Sequence, residues 1–249
     1  MKATVILSIL CILLYMKPVA AATGLHPVFA DTAGKGPDVD AALVNKFKQV
    51  CKGFGSIKND YTLAGVINIK DPAVKPESVK FTFCKQRDEF YYLLGKTITL
   101  NGKGSYVVID NQAHSILLSA QKEIEYGADN LKQLTAMADN IRSENYQVTS
   151  KIKGLEQTIS LVNEHHISCK QYTVTFNRVT LKVSHLYMRL SDFSAPLKKE
   201  KDKVVDVAIT QWTQTADLQK YLTLNQVVVN KNGTWKGLNQ YKNYRITIL

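Results

Sequence analysis

The chain has 249 residues, 45% of them apolar, 21% charged and 9% aromatic, enough to bury the core of one globular domain or two small ones. A disordered tail is excluded. Lys and Arg number 32 against 21 Asp and Glu, a net charge of +11, so an anionic partner such as nucleic acid or a membrane surface has to be weighed.

Lys2 is followed by an apolar run from Val5 to Leu14 and then by Pro18, Val19, Ala20, Ala21 and Ala22. Residues 1–22 therefore read as an export signal, cleaved before Ala22 or Thr23, because the run is shorter than the roughly 20 residues a membrane-spanning helix needs. Cys11 follows Ser8, Ile9 and Leu10, and a bulky Leu beside the cysteine is unlike a lipoprotein-processing site. The expected product is periplasmic, exported and not lipid-anchored. Export removes nucleic acid from the expected partners and leaves an anionic membrane surface or an envelope protein. Residues 23–36 contain Pro27 and no sustained period and read as a flexible lead-in.

Pro37 and Asp38 suit a helix start, and Val39, Leu43, Phe47, Val50 and Phe54 then recur at helical steps. From Ser56 the period becomes two, with Tyr61, Leu63, Ile67 and Ile69 on one face. Val79, Phe81 and Phe83 alternate in the same way, and Phe90 to Leu94, Ile98 to Leu100, Tyr106 to Ile109 and Ile116 to Leu118 follow with short polar turns between them. Turns this short join antiparallel strands and leave no room for crossover helices, which excludes a parallel nucleotide-binding sheet. From about 123 to 165 the helical period returns, in Leu131, Leu134 and Ile141 and then in Val148, Ile152, Leu155, Ile159 and Val162, which predicts a helical insert. Strands resume at Tyr172, Val179 and Leu186. The charged stretch from Lys198 to Lys203 reads as a solvated hairpin tip, Val204 to Trp212 as a strand, Ala216 to Leu222 as a short helix, and Val227 to Val229 and Tyr244 to Ile248 as the last strands. The expected fold class is α+β: residues 37–249 form one domain, a strongly curved antiparallel sheet (an open β-barrel) with helices covering its concave face.

Constellations for chemistry are missing from the sequence. It contains no G-x-S-x-G elbow, H-E-x-x-H helix, phosphate-binding loop or dinucleotide fingerprint, so neither an enzyme nor a cofactor is expected. His165, His166 and Cys169 form an H-H-x-x-C cluster without the further ligands a metal needs, and they read as a polar helix-to-strand junction. His26, His114 and His185 have no acidic neighbour at helical or strand spacing. Beyond the signal, Cys51, Cys84 and Cys169 allow one disulfide in three pairings, or none. Asn232-Gly233-Thr234 is both a formal glycosylation acceptor and a good turn.

The candidate site is apolar. Leu63, Ile67, Ile69, Phe81, Phe83, Phe90 and Tyr92 share one face, and Leu131, Leu134, Val148, Ile152, Leu155 and Ile159 are the expected helical lid. A complete fit between them makes an ordinary core; a gap makes a hydrophobic pocket for acyl chains, at about 0.8 kcal/mol per CH2 transferred.

The V-N-K-F-K-Q-V helix followed by "YTLAGVINIKDPAVKPESVKFTFCKQRDEFYYLLGKTITLNGKGSYVVIDNQAHSILLS" resembles the outer-membrane lipoprotein carrier (LolA/LolB-like) superfamily. The strand-turn-strand from Gly95 to Asp110, with Tyr106, and the closing "QYKNYRITIL" from Gln240 to Leu249 add to the likeness. The resemblance implies an open β-barrel closed by helices, whose cavity carries the acyl chain of a lipid or acylated protein across the periplasm without cofactor or covalent step. The chain departs from that pattern in its insert and in having no assignable cavity arginine, Arg87 lying in a turn. An envelope assembly or adaptor protein with the same fold is the alternative.

Overall fold

The structure is a computed structural model that describes residues 41–55, 60–122 and 144–249, the side chains of 52–55 excepted. The export signal, the lead-in and the lid residues Leu131 and Leu134 lie outside the described residues.

Helix α1 (Ala41–Gly55) comes first. Strands β1 (Tyr61–Lys70), β2 (Glu77–Gln86), β3 (Glu89–Leu94), β4 (Thr97–Gly102), β5 (Ser105–Asp110) and β6 (Ser115–Ala120) follow as a meander. Then come β7 (Gln147–Lys153), β8 (Glu156–Val162), β9 (Cys169–Asn177), β10 (Val183–Leu190) and β11 (Lys203–Thr213). The chain ends with the short helix α2 (Leu224–Val227), β12 (Val228–Lys231), β13 (Thr234–Gly237) and β14 (Arg245–Ile248). Twelve strands form one open sheet in the order β14-β6-β5-β4-β3-β2-β1-β11-β10-β9-β8-β7, while β12 and β13 pair separately. Its pairings are antiparallel except for β14, which runs parallel to β6.

Two-residue turns fix the meander's register. Lys103 and Gly104 between β4 and β5, and Asn232 and Gly233 between β12 and β13, have positive φ angles of 50°, 78°, 53° and 81°. Asn232-Gly233 is thus a hairpin turn, with the Gly233 amide donating to Asn230 Oδ1 at 2.9 Å.

The sheet has two apolar faces. On the inner face, Tyr61, Leu63, Ile67, Phe81, Phe83 and Phe90 form one cluster with Ile159, Leu161, Tyr172, Val174, Phe176, Leu186 and Val207. Helix α1 packs Val44, Phe47, Val50 and Cys51 into that cluster, and Phe47 meets Tyr172 edge-on at 5.6 Å between ring centroids. On the outer face, Cys84, Tyr91, Leu100, Val107, Ile109, Ile116 and Leu118 pack against Val227, Val228 and Tyr241 from the C-terminal segment. Tyr221 stacks on Tyr91 at 4.7 Å.

Glycine is required at position 65, where the β1–β11 register shifts. A Cβ there would lie 2.1 Å from the Ala208 carbonyl oxygen and 2.8 Å from the Phe81 ring. Gly65→Val is expected to destabilise the domain by roughly 2–3 kcal/mol through overpacking against backbone that cannot yield. A urea midpoint equal to that of the parent protein would contradict this close approach.

The helical insert is corrected in its second half. Val148, Ile152, Leu155, Ile159 and Val162 lie in the β7–β8 hairpin, with Val148 opposite Leu161 and Ile152 opposite Gln157. The steps of four, Val148 to Ile152 and Leu155 to Ile159, fit a strand as well, because four is a multiple of the strand period; the step of three from Ile152 to Leu155 crosses the turn, and that from Ile159 to Val162 changes face. Gly154 at φ 60° makes the turn that a helix could not accommodate. The H-H-x-x-C cluster accordingly joins two strands, β8 and β9, instead of a helix and a strand.

Candidate functional site

Cross-strand pairing places the predicted site residues in register. Trp212 on β11 faces Leu63, Leu63 faces Phe83 and Phe83 faces Tyr92. The same row continues through Thr99, Val108 and Leu117 on β4, β5 and β6. Directly opposed residues point to the same side of a sheet, so this is one continuous stripe across seven strands. Phe83 is the centre of an aromatic group, with ring centroids 5.4 Å from Tyr61, 5.5 Å from Phe90 and 5.9 Å from Tyr92.

Burial along the stripe is uneven. Leu63, Ile67, Phe81, Phe83 and Phe90 are buried, while Ile69 and Tyr92 are half-buried against the same cluster. Val108 and Leu117, at the β5–β6 end, are half-buried as well. The predicted cavity residues are therefore brought together, and the stripe is longer than expected. Val108 and Leu117 escaped sequence reasoning because their neighbours Val107, Ile109, Ile116 and Leu118 are also apolar and pack on the outer face. Alternation carries no signal where both faces are greasy.

The predicted lid does not assemble from residues 148–159. Ile159 is buried in the sheet's own inner face and Val148 is half-buried, whereas Ile152 and Leu155 are 57% and 65% exposed at the hairpin tip. Among the described residues α1 packs into the inner-face cluster through Val44, Phe47, Val50 and Cys51, the apolar side of a helix whose spacing was visible in the sequence.

Polar groups mark the margins of this face. Lys85, opposite Tyr61 and Phe90, is buried, and burial lowers its ammonium below the usual lysine range against the pull of Asp60 and Asp88. Asn101, also buried, donates to the Asp88 and Lys122 carbonyls at 3.2 and 3.1 Å and accepts from the Lys122 amide at 3.0 Å. The Lys122 ammonium sits 4.2 Å from the centre of the Tyr106 ring.

The histidine and cysteine features have structural partners. His166 Nδ1 accepts from the Ser168 and Cys169 amides at 3.2 and 3.0 Å, and its Nε2 lies 3.3 Å from Glu144 Oε2. His185 does have an acidic neighbour, Asp206, with Nε2 to Oδ1 at 2.9 Å across the β10–β11 pair. Among the described residues no group of His, Cys, Asp and Glu is arranged to hold a metal ion.

Cys51, Cys84 and Cys169 are all free thiols. Cys84 belongs to the outer-face core, whereas Cys51 and Cys169 pack on the inner side, so the sheet separates Cys84 from the other two. Burial pushes the Cys51 thiol up to about 12 and the Cys169 thiol up to about 11. At pH 8 both should be alkylated by iodoacetamide far more slowly in the native state than in urea. Equal rates in the two states would contradict this burial.

No protein-family model matches the sequence, and no curated protein matches it. Solved structures that it resembles include an uncharacterized conserved protein from Thermus thermophilus, with a TM-score of 0.40 and 7% identity over 84% of this chain and 98% of that one. A LolA superfamily protein from Nitrosomonas europaea matches with a TM-score of 0.29 and 8% identity over 74% of this chain and 97% of that one. An outer membrane lipoprotein-sorting protein domain from Vibrio parahaemolyticus matches with a TM-score of 0.29 and 7% identity over 74% and 96%. The superfamily that the sequence resembles is thus among the structural matches. At 7–8% identity the side chains of the stripe are this chain's own, and what they do follows from their own chemistry.

Proposed function

We propose that the protein is an exported carrier that holds the acyl chain of a lipid or of an acylated protein against the inner face of its sheet. The observation that carries this reading is the stripe from Leu63 through Phe83 and Tyr92 to Leu117, buried within the inner-face cluster at Leu63 and Phe83 and half-buried at Tyr92, Val108 and Leu117. A core needs only the first part. The second part, interrupted by buried Thr99, offers apolar surface at Tyr92, Val108 and Leu117, against which a hydrocarbon chain gains about 0.8 kcal/mol for each CH2 removed from water. Non-directional attraction of this kind accepts acyl chains of different length and needs no cofactor or covalent step. The sequence resemblance to lipoprotein carriers supports the same reading, as does the export signal read in residues 1–22. Release would follow from a higher affinity of the acceptor for the same chain.

Native mass spectrometry of the protein isolated from the cell envelope tests the proposal. The expected spectrum contains a population heavier than the polypeptide by one or more acylated molecules, stripped by organic solvent. A spectrum of bare polypeptide, together with no saturable uptake of a fluorescent fatty acid, would overturn it.

A further inference from the structure

The exposed apolar residues of the β7–β8 hairpin, expected from the sequence to form a lid, are joined at the same end of the sheet by Val179 in the adjacent β9–β10 turn. Ile152 and Leu155 are 57% and 65% exposed, and Val179 is 76% exposed. The two turns are fastened together, since the Arg178 amide donates to the Leu155 carbonyl at 2.8 Å. The second turn is also internally braced: Asn177 Oδ1 accepts from the Val179 and Thr180 amides, both at 2.9 Å, and Leu181 is held at a φ of 57°. Side chains on a braced loop stay presented to solvent with little entropy left to lose on docking.

The surroundings of these three side chains are cationic. Lys151, Lys153, Arg178 and Lys182 are exposed, and across residues 147–156 and 177–184 the one acidic residue is Glu156. Its carboxylate accepts from Ser184 Oγ at 3.2 Å. Aliphatic tips ringed by Lys and Arg match an interface of hydrocarbon beneath anionic head groups. The opposite end of the sheet also exposes apolar residues, Phe193 at 80% and Leu197 at 74%. There exposed Lys198, Lys199 and Lys201 are accompanied by Asp192 and Glu200, Lys199 lies 4.0 Å from Glu164, and Lys203 is paired with Asp71 at 2.9 Å, so much of the charge is offset.

We propose that the joined tips of the β7–β8 and β9–β10 hairpins dock onto an anionic phospholipid bilayer, inserting Leu155 and Val179 while the four cations engage the head groups. The docking stands independently of the carrier reading, because vesicle binding is measured without cargo. Ile152 is on the inner face of the sheet, opposite Gln157, at the β7 edge, whereas the proposed acyl surface lies on β1 to β6.

The full chain is floated with vesicles of phosphatidylcholine containing phosphatidylglycerol and with vesicles of phosphatidylcholine alone. Binding is expected to be at least tenfold tighter to the anionic vesicles and to weaken with added salt. Leu155→Ser with Val179→Ser, both at exposed positions, is expected to reduce it about tenfold relative to the parent, as is Lys151→Glu with Arg178→Glu. Phe193→Ser with Leu197→Ser should leave it unchanged. A peptide of residues 1–36 is floated alongside, and its binding is subtracted from that of parent and variants alike. Equal binding to both vesicles overturns the proposal, and so does binding that survives the Leu155/Val179 change or is lost with the Phe193/Leu197 change.

Discussion

Asp202→Ala is expected to destabilise the protein by about 3–5 kcal/mol, because it strands a buried cation. Lys170 is 1% exposed, and its ammonium lies 2.6 Å from Asp202 Oδ1. Arg189 donates to Asp202 Oδ2 at 3.1 Å and to both carboxylate oxygens of Glu164. Without Asp202, Arg189 keeps Glu164 but Lys170 loses its counter-charge in a site that water does not reach. Replacing both partners, Lys170→Met with Asp202→Leu, should recover most of the loss, since no buried charge then remains. Urea unfolding of the three proteins checks this, and a double variant no more stable than Asp202→Ala would contradict it. The Arg189 hydrogen bond also holds the Glu164 carboxyl below its usual range. That contribution is complete above the ordinary Glu value near 4.3 and fades as the pH falls through the lowered one, so Glu164→Gln should blunt acid unfolding below about pH 4.

Phe47→Ala is expected to cost about 3–5 kcal/mol and to raise the binding of a hydrophobic dye. Phe47 is fully buried and is the residue by which α1 meets Tyr172 on β9. Its loss opens a cavity between the helix and the inner face, and a loosened α1 uncovers apolar sheet. Dye fluorescence measured well below the unfolding midpoint, alongside a thermal melt, separates uncovering from unfolding. A destabilised variant with unchanged dye binding would show that α1 supports the fold without covering a binding surface.

The meander was legible because its turns are short and its strands alternate, and α1 was legible because its stripe has helical spacing. Two ambiguities hid the rest. Val148, Ile152 and Ile159 fit both periods, and what decides for a strand is pairing with residues far along the chain, such as Val174 opposite Ile159. The run from Lys198 to Lys203 looked wholly solvated, yet Asp202 turns inward to Lys170, a partner 32 residues away. Long-range partners of this kind leave no local pattern. For the site, the residues from Leu63 to Tyr92 could be read from alternation, whereas Val108 and Leu117 emerged from cross-strand register, because a second core lies behind them.

The central claim is that a hydrocarbon chain lies along the inner face, and photo-crosslinking with a diazirine fatty acid tests it most directly. After irradiation of the native protein and peptide mapping, the label is predicted on β3, β5 and β6 at Tyr92, Val108, Leu117 and their neighbours. An unlabelled fatty acid in excess should remove it. Label confined to the outer face around Tyr91, Tyr221 and Tyr241, or label that excess fatty acid does not displace, would contradict the account.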